Sequence, residues 1–330
     1  MNKTIYFLSL LWILLISFSA SSQVKIIFDT DFGGDADDLG ALVMLHNFMD
    51  RGECEVIGIM IWSKEQYAIP AIDAVNRYYK HSNIPIGLRS GNSYYEPWHH
   101  NKVIADNFEQ VLNDKNVSES TVLYRQLLSK SKDKSVVIVT VGPLKNIQEL
   151  MLSEADTISE LDGQELIGKK VKEFVVMGGK FPEGEKEWNF DGGMPGVTEF
   201  VFEHLKVPVT FSGFEIGVSI KTGEVFIDID KNTPLYKGFM HFSKSAPWIK
   251  EYFKGKILDN STYDQTAVLY AVRSGVGKYW QKVEDGYCQP DKTGGNKWIK
   301  GDKLNHSYLK LIVEPEKMAE LIESIMLNDF

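Results

Sequence analysis

The chain has 330 residues, of which 43% are hydrophobic and 25% are charged, and its formal net charge at pH 7 is −9. This composition is typical of a folded globular protein, and a net negative charge without a basic tract argues against a nucleic-acid-binding protein. Two cysteines, Cys54 and Cys288, are too few for a disulfide framework, and we expect them to be separate thiols.

The first predicted element is a secretory signal peptide at residues 1–22. Lys3 precedes the apolar run "IYFLSLLWILLISF", and the small residues "SASSQ" follow it, which is the three-part pattern of such a peptide. The run is too short and wrongly flanked for a membrane span. We therefore expect cleavage after Ser22 and an exported protein, periplasmic or secreted, without a stable membrane anchor. An uncleaved N-terminal anchor is the alternative.

Residues 23–330 contain no linker, repeat or low-complexity segment, so we expect a single domain. Short runs rich in β-branched residues alternate there with amphipathic stretches. The strand-like runs cover residues 24–31, 55–62, 84–89, 135–142, 173–179 and 208–216. The helix-like stretches include residues 38–51, 67–81, 143–152 and 196–205.

Apolar strands bounded by helices indicate an α/β fold with a mostly parallel central sheet and helices on both faces. Ligands of such folds bind beyond the carboxyl ends of the strands. The residues that end these runs, and that we expect at one rim, are Asp29, Asp31, Val141, Met177 and Glu215. Residues 220–260 and 278–308 are less periodic, and we predict that they are insertions covering or flanking this C-terminal rim.

A cluster of acids ends the first strand-like run, in the stretch "IIFDTDFGGDADDLGAL". Its five aspartates are Asp29, Asp31, Asp35, Asp37 and Asp38. Clustered carboxylates repel one another unless a cation lies among them. Helix capping explains one aspartate but leaves the pair at the strand end unexplained. Carboxylate oxygens favour Ca²⁺ or Mg²⁺ over zinc, and the site is no EF-hand because Leu42 stands where a bidentate glutamate is required.

The segment "DTDFGGDADDLGAL" resembles the N-terminal signature of the inosine-uridine preferring nucleoside hydrolase family, commonly D-T-D-P-G-x-D-D-x-x-A-L. Phe32 replaces the proline, and two extra residues give the variant D-x-G-x-D-x-D-D. The extra length leaves open whether Asp35 or Asp37 matches the first helix-side aspartate of the family. Asp38, which is followed by x-x-A-L, matches the second.

Later segments carry the same resemblance. "VTVGPLKNI" is similar to the family's T-G-P-L-T-N-I segment, in which the residue before the glycine, here Val141, offers its backbone carbonyl to the metal. "VVMGG" followed by "EWNF" resembles the M-G-G…E-F-N block, which implies that Glu187 and Asn189 bind the ribose hydroxyls. An asparagine that the family often has upstream of that glutamate has no counterpart in "KFPEGEKEW".

"STYDQTAVLYAV" resembles the late H-D-P-x-A block and makes Asp264 the last implied metal ligand. The family's histidine in this block, associated with protonation of a purine leaving group, is replaced by Tyr263. A tyrosine donates a proton less readily near neutral pH because its ordinary pKa is about 10. The family's early G-N segment is also replaced, by "WSKEQYAIP". Of the properties that the resemblance implies, recognition of the base is therefore the one that can least be carried over to this chain.

The resemblance implies a calcium-dependent hydrolase that splits a ribonucleoside into ribose and free base. The implied metal ligands are Asp31, Asp38, the Val141 carbonyl and Asp264. The implied substrate-binding residues are Asp37, Glu187, Asn189, Met177 and Asp264. The candidates for general base are Asp31, Asp35 and Asp37, and those that would assist the leaving group are Tyr263, His99, His100 and His241. Family members are often dimers or tetramers, so a homo-oligomer is implied as well.

Three alternatives remain at this stage. "IIFDTD" and "VVIVT" imitate motifs of haloacid-dehalogenase-like phosphatases, although Gly33 stands where those enzymes have threonine or valine and no matching lysine is recognisable. A non-catalytic exported riboside-binding protein would have kept the metal site and lost the chemistry, which the Tyr263 replacement favours. A hydrolase of a non-nucleoside glycoside is the third.

Overall fold

The structure, a computed structural model, describes residues 23–330. The predicted signal peptide lies outside the described residues. Within the described part of the chain, no helix has both the length and the apolar character that a membrane span requires. Cys54 and Cys288 are buried free thiols, as predicted.

The strands and helices alternate along most of the chain. The strands are β1 Val24–Thr30, β2 Cys54–Ile61, β3 Ile86–Leu88, β4 Ser118–Glu119, β5 Val136–Thr140, β6 Val171–Met177, β7 Glu183–Gly184, β8 Val209–Ser212, β9 Lys221–Thr222, β10 Asn260–Ser261, β11 Trp280–Val283, β12 Gly286–Pro290, β13 Asn296–Lys300 and β14 His306–Leu311. The helices are α1 Asp37–Asp50, α2 Ala68–Tyr78, α3 Asn101–Asn107, α4 Ser120–Lys130, α5 Lys145–Met151, α6 Gly163–Lys170, α7 Trp188–Asp191, α8 Val197–His204, α9 Phe214–Gly217, α10 Pro234–Ser245, α11 Asp264–Arg273 and α12 Pro315–Met326.

The central sheet of the described residues has the strand order β11-β14-β8-β6-β5-β1-β2-β3-β4. Every neighbouring pair is parallel except β11 and β14, which are antiparallel. The predicted α/β fold with a mostly parallel sheet is therefore confirmed. The four predicted helix-like stretches correspond to α1, α2, α5 and α8.

Helices cover both faces of the sheet because side chains alternate along each buried strand. In β1, Ile26 and Phe28 belong to the core beneath α1, α2, α10, α11 and α12. Ile27 faces the other way, into the core beneath α4, α5, α6 and α8. Helix α1 is buried almost throughout because α11 and α12 pack on it from outside the sheet.

The strand order reverses direction between β1 and β5. From β1 the chain moves outward through β2, β3 and β4, and it then returns to place β5 on the opposite side of β1. Such a reversal opens a crevice at the carboxyl ends of the two central strands, where α/β proteins bind their ligands. Asp31 follows β1 and Val141 follows β5, so both lie at this crevice.

The prediction for residues 278–308 was partly wrong. β11 and β14 extend the central sheet rather than covering its rim, and only β12 and β13, paired with β7, form a separate small sheet beside the crevice. The sequence pattern did not indicate these two strands of the sheet. β11 is an edge strand and the end of β14 is partly exposed, and such positions accept lysine and other polar residues. In residues 220–260, the amphipathic helix α10 also escaped prediction.

Candidate active site

A cavity of about 1140 Å³ opens at the carboxyl ends of β1, β5 and β6. Small-molecule sites commonly have volumes of roughly 300–1,000 Å³, so the cavity has room for a ligand of nucleoside size or larger. Its acidic lining residues include Asp31, Asp35, Asp37, Asp38, Glu187 and Asp264. Its aromatic lining residues include Trp62, Tyr94, Trp98, Trp188, Phe214, Trp248 and Tyr263.

Three buried carboxylates meet at one end of this cavity. Asp37 and Asp38 begin α1 and Asp264 begins α11, and these two helices pack against each other. Oxygen atoms of the three side chains lie within 4.8 Å of one another. The partial positive charges at two helix N-termini favour carboxylates there, which explains why the fold tolerates acids at this point. The backbone N–H of Asp264 also donates to Asp37 Oδ2 at 3.4 Å.

Burial and mutual repulsion raise the pKa of each of these three carboxyl groups well above its ordinary value. Burial is the largest cause, and the charges of neighbouring aspartates add to it. The hydroxyl of Thr30 donates a hydrogen bond to Asp38, which lowers the pKa of Asp38 only in part. The trio therefore binds positive charge, either protons or a cation.

The three carboxylates fit a calcium ion. Ca²⁺ binds oxygen ligands at roughly 2.3–2.6 Å, so ligand oxygens around one ion are up to about 5 Å apart. The separation of at most 4.8 Å within the trio satisfies this limit. Oxygen atoms alone form the donor set, which suits a hard cation and not zinc. Asp38 and Asp264 are thus placed as the resemblance implies, and Asp37 joins them.

Asp31 lies in the same cavity, just beyond β1. Its Oδ2 accepts a hydrogen bond from the indole N–H of Trp188 at 2.8 Å. Its Oδ1 faces Gly142, where an added β-carbon would lie only 3.0 Å from that oxygen. Burial raises the pKa of Asp31 to about 6, against the lowering effect of the Trp188 hydrogen bond.

Asp35 lines the cavity but is not part of the trio. Its carboxylate accepts hydrogen bonds from the Ala36 N–H at 2.6 Å and from the side chain of Asn260. Burial raises the pKa of Asp35 to about 6. Of the two aspartates that the sequence could not separate, the structure brings Asp37 next to Asp38 and Asp264, and it ties Asp35 to the loop before α11.

Asp29 lies behind the site rather than in it. Its side chain shares the face of Ile27, where it accepts hydrogen bonds from the Tyr124 hydroxyl at 2.7 Å and from Asn146 at 3.2 Å. Of the residues expected at the rim, Asp29 therefore points away from the cavity that Asp31 lines, because β1 ends at Thr30 and the chain then turns. Alternation along a strand no longer governs the direction of Asp31.

The residues implied in ribose binding meet at the ends of β5 and β6. Asn189 Nδ2 donates to the Val141 carbonyl at 3.2 Å and to the Met177 carbonyl at 3.1 Å. Glu187 accepts from the N–H groups of Gly179, Asn189 and Phe190 at 2.9, 3.0 and 3.1 Å. These residues line the cavity beside the carboxylate trio. The Val141 carbonyl retains a second lone pair for a metal.

The four residues that could assist the leaving group do not lie together: two of them line the cavity and two do not. Tyr263 lies on the cavity wall, stacked on Phe214 with ring centroids 5.2 Å apart, and burial raises the pKa of its phenol to about 12. His99 also lines the cavity, and burial lowers its pKa to about 4. His100 is fully buried against Phe32. His241 is not among the residues that line the cavity.

The aromatic walls were not anticipated from the sequence. Trp98 and Trp248 approach each other edge to face at 5.1 Å, and Trp62 and Trp188 do so at 6.2 Å. Trp62 follows directly after a strand, which was an available signal. Trp98 and Trp248 lie in irregular segments far apart in the chain, so only the tertiary structure brings them together.

Comparisons with known proteins identify one family. A sequence profile described as inosine-uridine preferring nucleoside hydrolase matches residues 26–307. No curated protein matches the chain significantly in sequence.

Several solved structures share the fold. A plant nucleoside hydrolase is similar with a TM-score of 0.69 at 16% identity, covering 92% of this chain and 98% of its own. A purine-preferring ribonucleoside hydrolase from Gardnerella vaginalis has a TM-score of 0.67 at 16% identity, covering 92% and 99%. An inosine-uridine preferring nucleoside hydrolase from Bacillus anthracis has a TM-score of 0.64 at 13% identity, covering 92% and 99%.

Proposed function

The chain belongs to the inosine-uridine preferring nucleoside hydrolase family, whose enzymes hydrolyse N-glycosidic bonds of ribonucleosides, and on that premise we propose that it is an exported, calcium-dependent member. The signal-peptide pattern of residues 1–22 supports export. The family match favours this function over the phosphatase alternative.

One observation carries the proposal of a calcium site. Asp37, Asp38 and Asp264 bring three buried carboxylates within 4.8 Å at the end of a cavity that takes a nucleoside. Such a cluster is costly for a protein to bury unless it binds a cation. Asp31 and the Val141 carbonyl line the same cavity and would supply further oxygen ligands. A calcium ion held by these residues would supply the positive charge that lowers the pKa of a water and attracts the hydroxyls of a sugar diol.

The chain's own residues account for the rest of the mechanism. Glu187 and Asn189 stand beside the trio, where they orient the ribose. Asp31 accepts the proton of the attacking water, since its carboxylate keeps acceptor sites beyond the one that the Trp188 N–H occupies. The negative charge of the aspartates favours the oxocarbenium-like sugar that forms as the glycosidic bond breaks.

The departing base is assisted by Tyr263 and the aromatic residues that line the cavity. The phenol of Tyr263 keeps its proton at neutral pH, because burial raises its pKa to about 12, and it can donate a hydrogen bond to the base. The aromatic rings of Trp98 and Trp248 offer flat apolar surfaces to a heteroaromatic leaving group. They also exclude water from the reacting bond.

The test is to incubate the mature chain, residues 23–330, and calcium with a panel of purine and pyrimidine ribosides and to measure free base. We expect release of base that chelation abolishes and that Asp31→Ala abolishes. Undiminished turnover by Asp31→Ala would refute the mechanism. Turnover of a phosphate ester with Mg²⁺, and of no riboside, would support the phosphatase instead.

The second candidate is a riboside-binding protein without catalysis. Tyr263 stands where the family has histidine, and one asparagine is missing, which together favour it. Tight riboside binding in calorimetry without any release of base would identify this function. Release of an aglycone from a glycoside other than a nucleoside would identify the third alternative.

A further inference from the structure

The one-turn helix α7 contacts two of the implied metal ligands through consecutive residues. The indole N–H of Trp188 donates to Asp31 Oδ2 at 2.8 Å. The amide of Asn189 donates to the Val141 carbonyl at 3.2 Å. Glu187 fixes the start of the turn by accepting the N–H groups of Asn189 and Phe190. The segment thus holds both the strand-end carboxylate and the strand-end carbonyl.

The Trp188 hydrogen bond makes the two oxygens of Asp31 unequal. Oδ2 accepts a hydrogen bond from the indole N–H, whereas Oδ1 points at Gly142, the residue directly after Val141. Gly142 permits this approach because an added β-carbon would lie 3.0 Å from Oδ1. Oδ1, the oxygen that does not accept from the indole, therefore keeps both of its lone pairs beside Gly142 for a metal or a water.

The indole of Trp188 is held by contacts on two sides although much of it is exposed. Trp188 is 55% exposed, yet its N–H points at the half-buried carboxylate of Asp31 rather than at solvent. Its ring meets Trp62 edge to face at 6.2 Å, and the Trp62 carbonyl accepts a hydrogen bond from Arg89 Nε at 3.0 Å. A hydrogen bond to an ionised acceptor is stronger than a neutral one.

We propose that Trp188 is a positioning residue of the metal site: its indole N–H fixes the Asp31 carboxylate so that Oδ1 faces the ion, and it thereby sets the calcium affinity. This inference rests on the proposed calcium site. Groups that hydrogen-bond metal ligands orient them, and their loss typically weakens metal affinity about 10–100-fold. Without the N–H, Asp31 turns freely and Oδ2 competes with Oδ1.

The primary test compares Trp188→Phe with Trp298→Phe. Phenylalanine keeps an aromatic ring and removes the donor. Trp298 is a matched control, because its indole N–H also donates to a carboxylate, that of Asp285, at 3.0 Å, and it does not line the cavity. Calcium titrated calorimetrically into the chelator-treated mature chain should bind Trp188→Phe about 10–100-fold more weakly than wild type. Trp298→Phe should bind like wild type, and equal affinities in all three proteins would overturn the proposal.

A double-mutant cycle separates positioning from general loss of structure. In an Asp31→Asn background the further change Trp188→Phe should cost little calcium affinity, because the acceptor charge that the indole orients is gone. An undiminished cost in that background would show that Trp188 does not act through Asp31. Thermal melting in chelator should give Trp188→Phe nearly the wild-type midpoint. A large drop there would assign the residue a structural role instead.

The results of these experiments distinguish a failure of the proposed role of Trp188 from a failure of the proposed function. Wild-type protein that binds calcium but releases no base from any riboside contradicts the hydrolase activity and leaves the role of Trp188 intact. Wild-type affinity in Trp188→Phe contradicts only the role of Trp188. A wild-type chain that binds no calcium contradicts both.

Discussion

Neutralising Asp38 should make the metal-free protein more stable while abolishing its response to calcium. Asp38→Asn removes one of three buried charges and keeps the shape of the side chain, and the asparagine oxygen can still accept the Thr30 hydroxyl. The substitution therefore isolates the electrostatic contribution of the cluster from its packing. An exposed aspartate, Asp114, provides a control of equal charge change.

The expected magnitude follows from the geometry of the trio. Two unit charges 4.8 Å apart repel by about 3.5 kcal/mol at an effective dielectric constant of ~20, and Asp38 has two such neighbours. Burial and mutual repulsion raise the pKa values of all three groups, and any proton that they take up reduces this repulsion. We therefore expect a net gain of roughly 1–3 kcal/mol in the free energy of unfolding without metal.

Differential scanning calorimetry in chelator and in excess calcium measures both effects. Wild-type protein at a calcium concentration about 100-fold above Kd should gain about 2.7 kcal/mol, which is roughly 5 °C in Tm for a chain of this size. Asp38→Asn should melt a few degrees higher than wild type in chelator and show no calcium response. Asp114→Asn should behave like wild type in both. A variant no more stable than wild type in chelator would refute the electrostatic reasoning.

Three further predictions concern separate groups. Tyr263→Phe should lower kcat for inosine at least about 10-fold. It should leave kcat for an activated nitrophenyl riboside unaffected, because that leaving group needs no proton donor. Equal losses of kcat on both substrates would contradict the role of Tyr263 in assisting the leaving group. Glu187→Gln should raise KM for ribosides several-fold with little change in calcium affinity, and a parallel loss of calcium binding would contradict separate roles. Burial lowers the pKa of His46 to about 3. Because an unfolded histidine titrates near about 6.5, the unfolded state takes up the proton first, and stability falls as pH drops below about 6.5. In urea unfolding, the free energy of unfolding of His46→Gln should depend on pH less steeply than that of wild type, by up to about 1.4 kcal/mol per pH unit. An unchanged slope of this free energy against pH would contradict the role of His46.

The sequence located the rim of the sheet correctly because the signals there are local. Apolar strand runs followed by Asp31, Val141 and Met177 identify carboxyl ends of parallel strands, and such ends meet at one edge whatever the loops do. The acids that begin α1 were identified from local helix-start signals, whereas Asp264, which begins α11, was implied only by the family resemblance. The strands β11 and β14 were missed, since the edge strand β11 and the partly exposed end of β14 admit lysines, which interrupts the continuous apolar pattern.

Only the tertiary structure decided which aspartates act together. Five acids within ten positions look alike in the sequence, yet Asp29 stays on the Ile27 face of β1 while the turn after Thr30 carries Asp31 into the cavity. The packing of α11 on α1 adds Asp264 to Asp37 and Asp38. The contact between Trp188 and Asp31 joins residues 157 positions apart. Local chain chemistry fixes where a strand or helix ends, but the direction of a side chain and its distant partners depend on how those elements pack, and no local pattern encodes that.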